Sequence, residues 1–131
     1  MIVVDASVIV AALSDDSGFG ALVGRRLRGE SLAAPHLLPV EVAAAWRRLV
    51  MTGRLEGGRA ERALDDLALL QVTLVPHGSL LPRCWELRPN VTTFDAMYVA
   101  LAESLGVPLF TLDTRMTRAP GPRCAFMDVV D

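Results

Sequence analysis

Residues 92–116 read TTFDAMYVALAESLGVPLFTLDTRM, and the order of signals inside this stretch decides the fold class. Thr92-x-x-Asp95 is a capping-box pattern, and the small and apolar residues behind it carry a helix to Ser104, where Gly106 and Pro108 end it. Leu109 to Leu112 is a short apolar run of the kind that forms a strand buried on both faces, and it breaks at Asp113. A helix feeding straight into a buried strand is half of a parallel crossover unit.

Working outward, the same alternation recurs. Ile2 to Val4 is a β-branched strand ending at Asp5, Asp5-Ala6-Ser7 can cap a helix, and Val8 to Leu13 continues it. A loop over Ser14 to Gly20 precedes a second helix, Gly20 to Leu27. Leu32 to Ala34 is the next strand, and Pro35 to Pro39 lead into a helix from Leu38 to Met51, with Val42, Trp46, Leu49 and Val50 on an apolar stripe. An amphipathic helix follows over Gly58 to Leu70, then a strand over Val72 to Val75 and a short helix over Leu80 to Leu87. Beyond Asp113 come a turn or short helix and a last strand near Ala125 to Met127. This alternation predicts an α/β sandwich around a mostly parallel sheet. With 131 residues and no repeat, linker or low-complexity stretch, one domain over residues 1–131 is expected.

Composition narrows the function. All 13 basic residues are arginine, and the functional lysine of P-loop NTPases, protein kinases, Schiff-base enzymes, response-regulator receivers and haloacid-dehalogenase-type phosphatases is missing. Cys84 and Cys124 lie far apart with no histidine at ligand spacing, which argues against zinc. The start of the chain lacks a signal-like segment and no run reaches membrane-spanning length, so a cytoplasmic protein with no membrane contact and reduced thiols is expected. The 52% hydrophobic content and mean hydropathy of +0.38 leave apolar surface over after a core is filled, which suggests a dimer or a bound partner.

Four acids, Asp5, Glu41, Asp95 and Asp113, each stand where an apolar stretch meets a turn or a helix start. Setting them aside turns the formal charge of the chain from −2 to +2. Each has an ordinary use: Asp5 as an N-cap, Asp95 as the third residue of a capping box, Glu41 as a first-turn acid, Asp113 in an Asx turn. Together they read differently. In an open parallel sheet the crevice lies beyond the carboxyl ends of the strands at the switch point, where Asp5 and Asp113 would stand, and helices opening at the same crevice would bring in Glu41 and Asp95. Carboxylates gathered there without neutralising bases suit a hard divalent cation.

With those pieces in place, IVVDASVIVAAL at 2–13, APHLLPVEVAAAW at 34–46 and the stretch at 92–116, the whole chain resembles a PIN-domain ribonuclease, and within that superfamily a VapC toxin of type II toxin-antitoxin systems. The resemblance implies a PIN-like three-layer α/β/α sandwich. It implies Asp5, Glu41, Asp95 and Asp113 as catalytic metal-binding acids, with Ser7 and Thr111 as hydroxyl helpers. The cofactor would be Mg²⁺ or Mn²⁺, cleaving RNA by an activated water to leave a 5′-phosphate and a 3′-hydroxyl. It further implies a homodimer and a cognate VapB-type antitoxin laid across the acidic site. Some relatives carry a further acid after the last aspartate, where Thr114, Arg115 and Met116 stand here. One well-bound ion is therefore expected, with a weaker second ion completed by substrate.

Other residues have competing uses. Arg115 is a candidate phosphate contact or an ion-pair partner of a nearby acid. Arg25, Arg26 and Arg28 form a solvated helix face or an RNA contact. Trp46 and Trp85 read as core or interface anchors, Tyr98 as packing or a flank of the site, His36 as a loop former and His77 as part of a surface turn. Two further functions stay open on sequence alone: a catalytically silent PIN-like module that binds RNA or protein, and a metal-dependent nuclease or phosphatase with a non-RNA substrate.

Overall fold

A computed structural model of the chain describes residues 1–130. Five strands, β1 (Ile2–Val4), β2 (Leu32–Pro35), β3 (Val72–Val75), β4 (Leu109–Phe110) and β5 (Phe126–Met127), form one sheet in the order β3-β2-β1-β4-β5. Every pairing is parallel, with Val3 opposite both Ala33 and Leu109. The chain leaves β1 toward β2 and β3 on one side, and β4 and β5 fill the other. The switch point therefore falls between β1 and β4, and the crevice opens beyond Val4 and Phe110.

The helices are α1 (Ala6–Ser14), α2 (Gly18–Leu27), α3 (Leu38–Met51), α4 (Gly57–Leu69), α5 (Leu81–Glu86), α6 (Thr93–Leu105) and α7 (Thr114–Arg118). Helix α6 lies against β1, β2 and β4 and also meets α5, while α1 gathers α2, α3 and α4 around it. Seven consecutive residues of α6, Ala96 to Ala102, are buried, so this helix is surrounded on all sides rather than amphipathic. Strands β1 and β4 are likewise buried throughout, and with Leu38, Val42 and Trp46 from α3 they make one continuous core.

Three boundaries differ from expectation for local reasons. Helix α1 begins at Ala6, directly after Asp5, because the Asp5 side chain caps it. Helix α2 begins at Gly18, capped by Ser17, and its Gly20 stands where an added Cβ would meet the Asp15 carbonyl oxygen at 1.9 Å, so only glycine lets α2 turn this closely onto the end of α1. The helix expected over Leu80 to Leu87 is a 3₁₀ turn, Gly78–Leu80, running into the short α5, which has a proline in its first turn. Gly106 ends α6 in the left-handed region, φ 65°, as its sequence position suggested.

Candidate active site

Asp5 is the innermost of the four acids, only 5% exposed. Its Oδ1 accepts hydrogen bonds from the Ser7 hydroxyl at 2.6 Å and the Val8 N–H at 3.3 Å, and its Oδ2 accepts one from the Thr111 hydroxyl. Both hydroxyls are themselves anchored. Ser7 Oγ accepts from the Leu112 N–H and Thr111 Oγ1 from the Asp113 N–H, each at 3.0 Å. The segments after β1 and after β4 are thus stapled through the two hydroxyl residues that the sequence had placed beside the first and last acids.

Among the described residues no base pairs with Asp5. Burial pushes its carboxyl up from 3.8, the three hydrogen bonds pull it partly back, and the Asp95 charge adds to the rise, leaving it at about 6. Asp95 sits half-buried in the first turn of α6. The capping box is not formed: Thr92 makes no side-chain hydrogen bond to the helix start. Burial raises Asp95, Thr92 opposes, and the Asp113 charge raises it further against a smaller pull from Arg115.

Glu41 enters from the first turn of α3 and accepts a 2.6 Å hydrogen bond from the Tyr98 hydroxyl. Tyr98 is 1% exposed and stands one turn beyond Asp95 on α6, so the same helix supplies one acid and holds another. Burial pushes the Glu41 carboxyl up, the Tyr98 hydroxyl lowers it, and Asp95 raises it again. The Tyr98 phenol is driven well above its ordinary range by burial and by the Glu41 carboxylate. Asp113 caps α7 and accepts from the Arg115 N–H at 2.9 Å and from the Arg115 guanidinium at 3.3 and 3.4 Å. For Arg115 the ion pair is therefore realised, on a side chain 91% exposed.

Asp95 is the hub: its charge is felt at Asp5 and at Glu41, and that of Asp113 is felt at Asp95. The four acids are linked pairwise by their charges through Asp95, while Asp5, Glu41 and Asp113 are each turned to their own local donors. Among the described residues no three acidic, histidine or cysteine side chains are already drawn together as a ready cage for an ion. The donor set itself is all hard oxygen, with one buried carboxylate left uncompensated, and this suits Mg²⁺ or Mn²⁺ better than a softer metal.

Residues outside the basin fall elsewhere than some expectations. Trp46 is a core anchor whose Nε1 donates to Ser14 Oγ, but Trp85 is 68% exposed with Arg88 stacked on it, so it is no core residue. His77 does more than shape a turn: its Nε2 accepts from the Leu37 N–H at the start of α3, and His36 lies edge-on to it. Arg25 and Arg28 are exposed on and just beyond α2, and Arg26 donates to the Asp128 carbonyl. Both cysteines are free thiols, and among the described residues no helix is long and apolar enough to cross a membrane. The sequence left Tyr98 open between packing and a flank of the site, and the residue is both buried in α6 and a donor to Glu41. Its spacing of three from Asp95 was the signal that it shares the acid's face of the helix.

Comparison with known proteins places this geometry. The model of the PIN domain family matches residues 2–122. Ribonuclease VapC1 of Mycobacterium tuberculosis is 47% identical over 124 residues, which span 93% of this chain and 92% of that protein. Among solved structures, PAE2754 from Pyrobaculum aerophilum superposes with a TM-score of 0.71 at 27% identity, covering 95% of this chain and 81% of that one. VapBC2 from Rickettsia felis, solved bound to a DNA fragment from its promoter, shares the fold with a TM-score of 0.68 at 13% identity over 97% of this chain and 98% of that one. The chain belongs to the PIN-domain family, in its VapC branch.

Proposed function

We propose that this protein is a Mg²⁺- or Mn²⁺-dependent endoribonuclease, a VapC-type toxin restrained by a cognate VapB-type antitoxin. The observation that carries the reading is Asp5: a carboxylate buried at the switch point, held by two hydroxyls, opposed by no base and coupled through Asp95 to two further acids. Relatives named as ribonucleases, similar over nearly the whole chain, support the choice of RNA as substrate.

Asp5, Asp95, Asp113 and Glu41 would hold the ion, which when bound activates water and offsets charge on the scissile phosphate. The chain's own residues prepare the place. Ser7 and Thr111 keep the Asp5 carboxylate oriented, as second partners of metal ligands do, and Tyr98 does the same for Glu41. Arg115 lends Asp113 a positive neighbour, and its exposed guanidinium is available to a phosphate once Asp113 turns to an ion. The exposed Leu81 and Trp85 of α5, with Phe94 at the start of α6, support a homodimer.

The test is incubation of a total RNA pool with purified protein in Mg²⁺, Mn²⁺ or EDTA, with Asp5→Asn alongside. Discrete metal-dependent cuts that vanish in the variant are expected. Metal-dependent cleavage retained by Asp5→Asn would sink the site assignment, and cleavage of DNA or a simple phosphate ester in preference to RNA would sink the substrate.

A further inference from the structure

Two clefts meet along α1, and apart from Glu41 and Ser7 their linings take no part in the acid site. The smaller, about 300 Å³, lies between α1 and α3 and runs from Glu41 to Arg48 past Ser7 and Val10. The larger, about 630 Å³, shares Ser7 and Val10 and continues between α1, the end of α3 and α4 to Arg54 and Arg62. The two clefts therefore adjoin along the flank of α1, with Glu41 at one end.

The charges lining the two clefts balance in number, Arg48, Arg54, Arg59 and Arg62 against Asp15, Asp16, Glu41 and Glu56, but they are not equally committed. Arg59, on the same wall, is committed: it binds both carboxylate oxygens of Asp16 at 2.9 Å and the Leu13 carbonyl at 2.8 Å, which fastens α4 to the end of α1. Asp15 is engaged by the N–H and hydroxyl of Ser17. Arg48, Arg54 and Arg62 are exposed, and among the described residues none of them makes an ion pair or side-chain hydrogen bond. Asp15, Asp16 and Glu56 are the acids on that wall, and the charge of Arg62 is felt at Asp16. Arg48 stands two turns along α3 from Glu41, about 10 Å on the helix rise, close enough for its charge to act on that carboxylate. Three exposed guanidiniums spaced away from a phosphodiester-cleaving centre suit a run of phosphates.

We propose that Arg48, Arg54 and Arg62 form a track for the phosphates of one RNA strand flanking the scissile bond. The inference rests on the reading of the acidic basin as a ribonuclease centre. The track would set how RNA is held and oriented, while the carboxylates set whether it is cut.

The experiment measures binding of a fluorescent, mixed-sequence, single-stranded oligoribonucleotide as a function of salt, in an Asp5→Asn background that blocks turnover. Arg48→Gln/Arg54→Gln/Arg62→Gln is compared with Arg47→Gln, a change of charge on the same helix but outside both clefts. The triple variant should weaken binding by at least about tenfold at low salt and flatten the slope of log affinity against log salt by about 2, since each single-strand phosphate contact contributes about 0.7. Arg47→Gln should change neither by more than about twofold. In the cleavage-competent protein the triple variant should raise KM far more than it lowers kcat. Equal behaviour of the triple variant and Arg47→Gln would overturn the track. So would unchanged RNA binding with lost binding of an antitoxin C-terminal peptide, which would make this a protein-docking wall. Failure of the parent protein to cleave RNA with either metal would instead count against the ribonuclease reading, so the two failures are told apart. Unchanged thermal unfolding of the triple variant excludes misfolding as the cause.

Discussion

Glu103 and Asp5 are both carboxylates withdrawn from water, and the chain surrounds them differently. Glu103 on α6 is gripped by the Arg83 guanidinium at 2.7 and 3.2 Å and by the Arg123 N–H at 2.8 Å, while Arg83 also donates to the Gly121 carbonyl. Burial pushes the Glu103 carboxyl up, but those donors and charges outweigh it and leave it below its ordinary value. Asp5 receives hydroxyl and amide donors and no cation, and it ends above its ordinary value. A charge that the fold needs for cohesion is neutralised within the fold. One left raised, with the charge of a further acid acting on it, marks a candidate functional site.

The largest expected effect follows from that difference. Asp5→Asn should lower kcat for RNA cleavage by at least about 10³-fold, the scale seen when one preorganised charge-stabilising group is deleted. The protein should stay folded, because the change removes a strained charge and keeps the shape. Steady-state cleavage assays beside a thermal melt check this. Glu103→Gln should do the reverse, losing stability while each folded molecule retains its activity. An Asp5→Asn variant that unfolds would erase the distinction drawn between the two carboxylates.

The same contrast predicts opposite pH limbs in metal-free protein. Asp5 binds its proton more tightly folded than unfolded, so its cost to stability is absent below pH 4 and grows as pH rises toward about 6, reaching an order of 3 kcal/mol for a shift of about 2 units. Glu103 binds its proton less tightly folded than unfolded. Its contribution is present above the ordinary glutamate value and is lost as pH falls through the depressed one. Urea unfolding in EDTA across pH 3 to 7 should show Asp5→Asn flattening the decline from pH 4 to 6, and Glu103→Gln flattening the acid limb. Matching pH curves for wild type and Asp5→Asn would remove the electrostatic basis of the comparison.

Next in size is Arg83→Ala. It strands Glu103, whose side chain is 16% exposed, and should cost about 2–3 kcal/mol, somewhat less than the loss of one partner from a fully buried pair because Arg83 itself is 21% exposed. Chemical denaturation measures it. A loss below about 0.5 kcal/mol would class the pair with ordinary surface ion pairs.

How much of this was legible in the sequence depended on the range of the interaction. The strand Val72–Val75 and the helix Leu38–Met51 fall where periodicity and turn residues put them, because those signals are local. All four acids stood out for the same reason, whereas Ser7 as a partner of Asp5 came only from the family resemblance, although it lies two residues away. The contacts that explain the site are long-range. Thr111 meets Asp5 across 106 positions and Tyr98 meets Glu41 across 57, and neither distance leaves a periodic trace. The switch-point argument brought those segments together in advance, the resemblance to a family added Thr111, and neither foresaw the bond from Tyr98 to Glu41. The Thr92 pattern shows the converse: a correct local signature located the start of α6, although the capping bond that gives the signature its meaning is not made.

The smallest effect tests whether the acidic basin is organised by its neighbours as Glu103 is by Arg83. Tyr98→Phe removes the 2.6 Å hydroxyl donor from Glu41 without changing the packing of a ring that is 1% exposed. Without that donor burial and the Asp95 charge act on Glu41 with less opposition, so its carboxyl should rise further and its hold on a cation weaken. Loss of such a second partner typically costs 10- to 100-fold in metal affinity, and the lower end, about tenfold, is expected here because Glu41 is one acid among four. Stability should change by about 1 kcal/mol, the usual net worth of one hydrogen bond. Titration of RNA cleavage with Mn²⁺ reads the shift directly: a raised half-saturating metal concentration with an unchanged plateau places Tyr98 as a positioning residue for Glu41. An unchanged metal dependence would mean that Glu41 is oriented by its own helix, and that α6 contributes Asp95 alone.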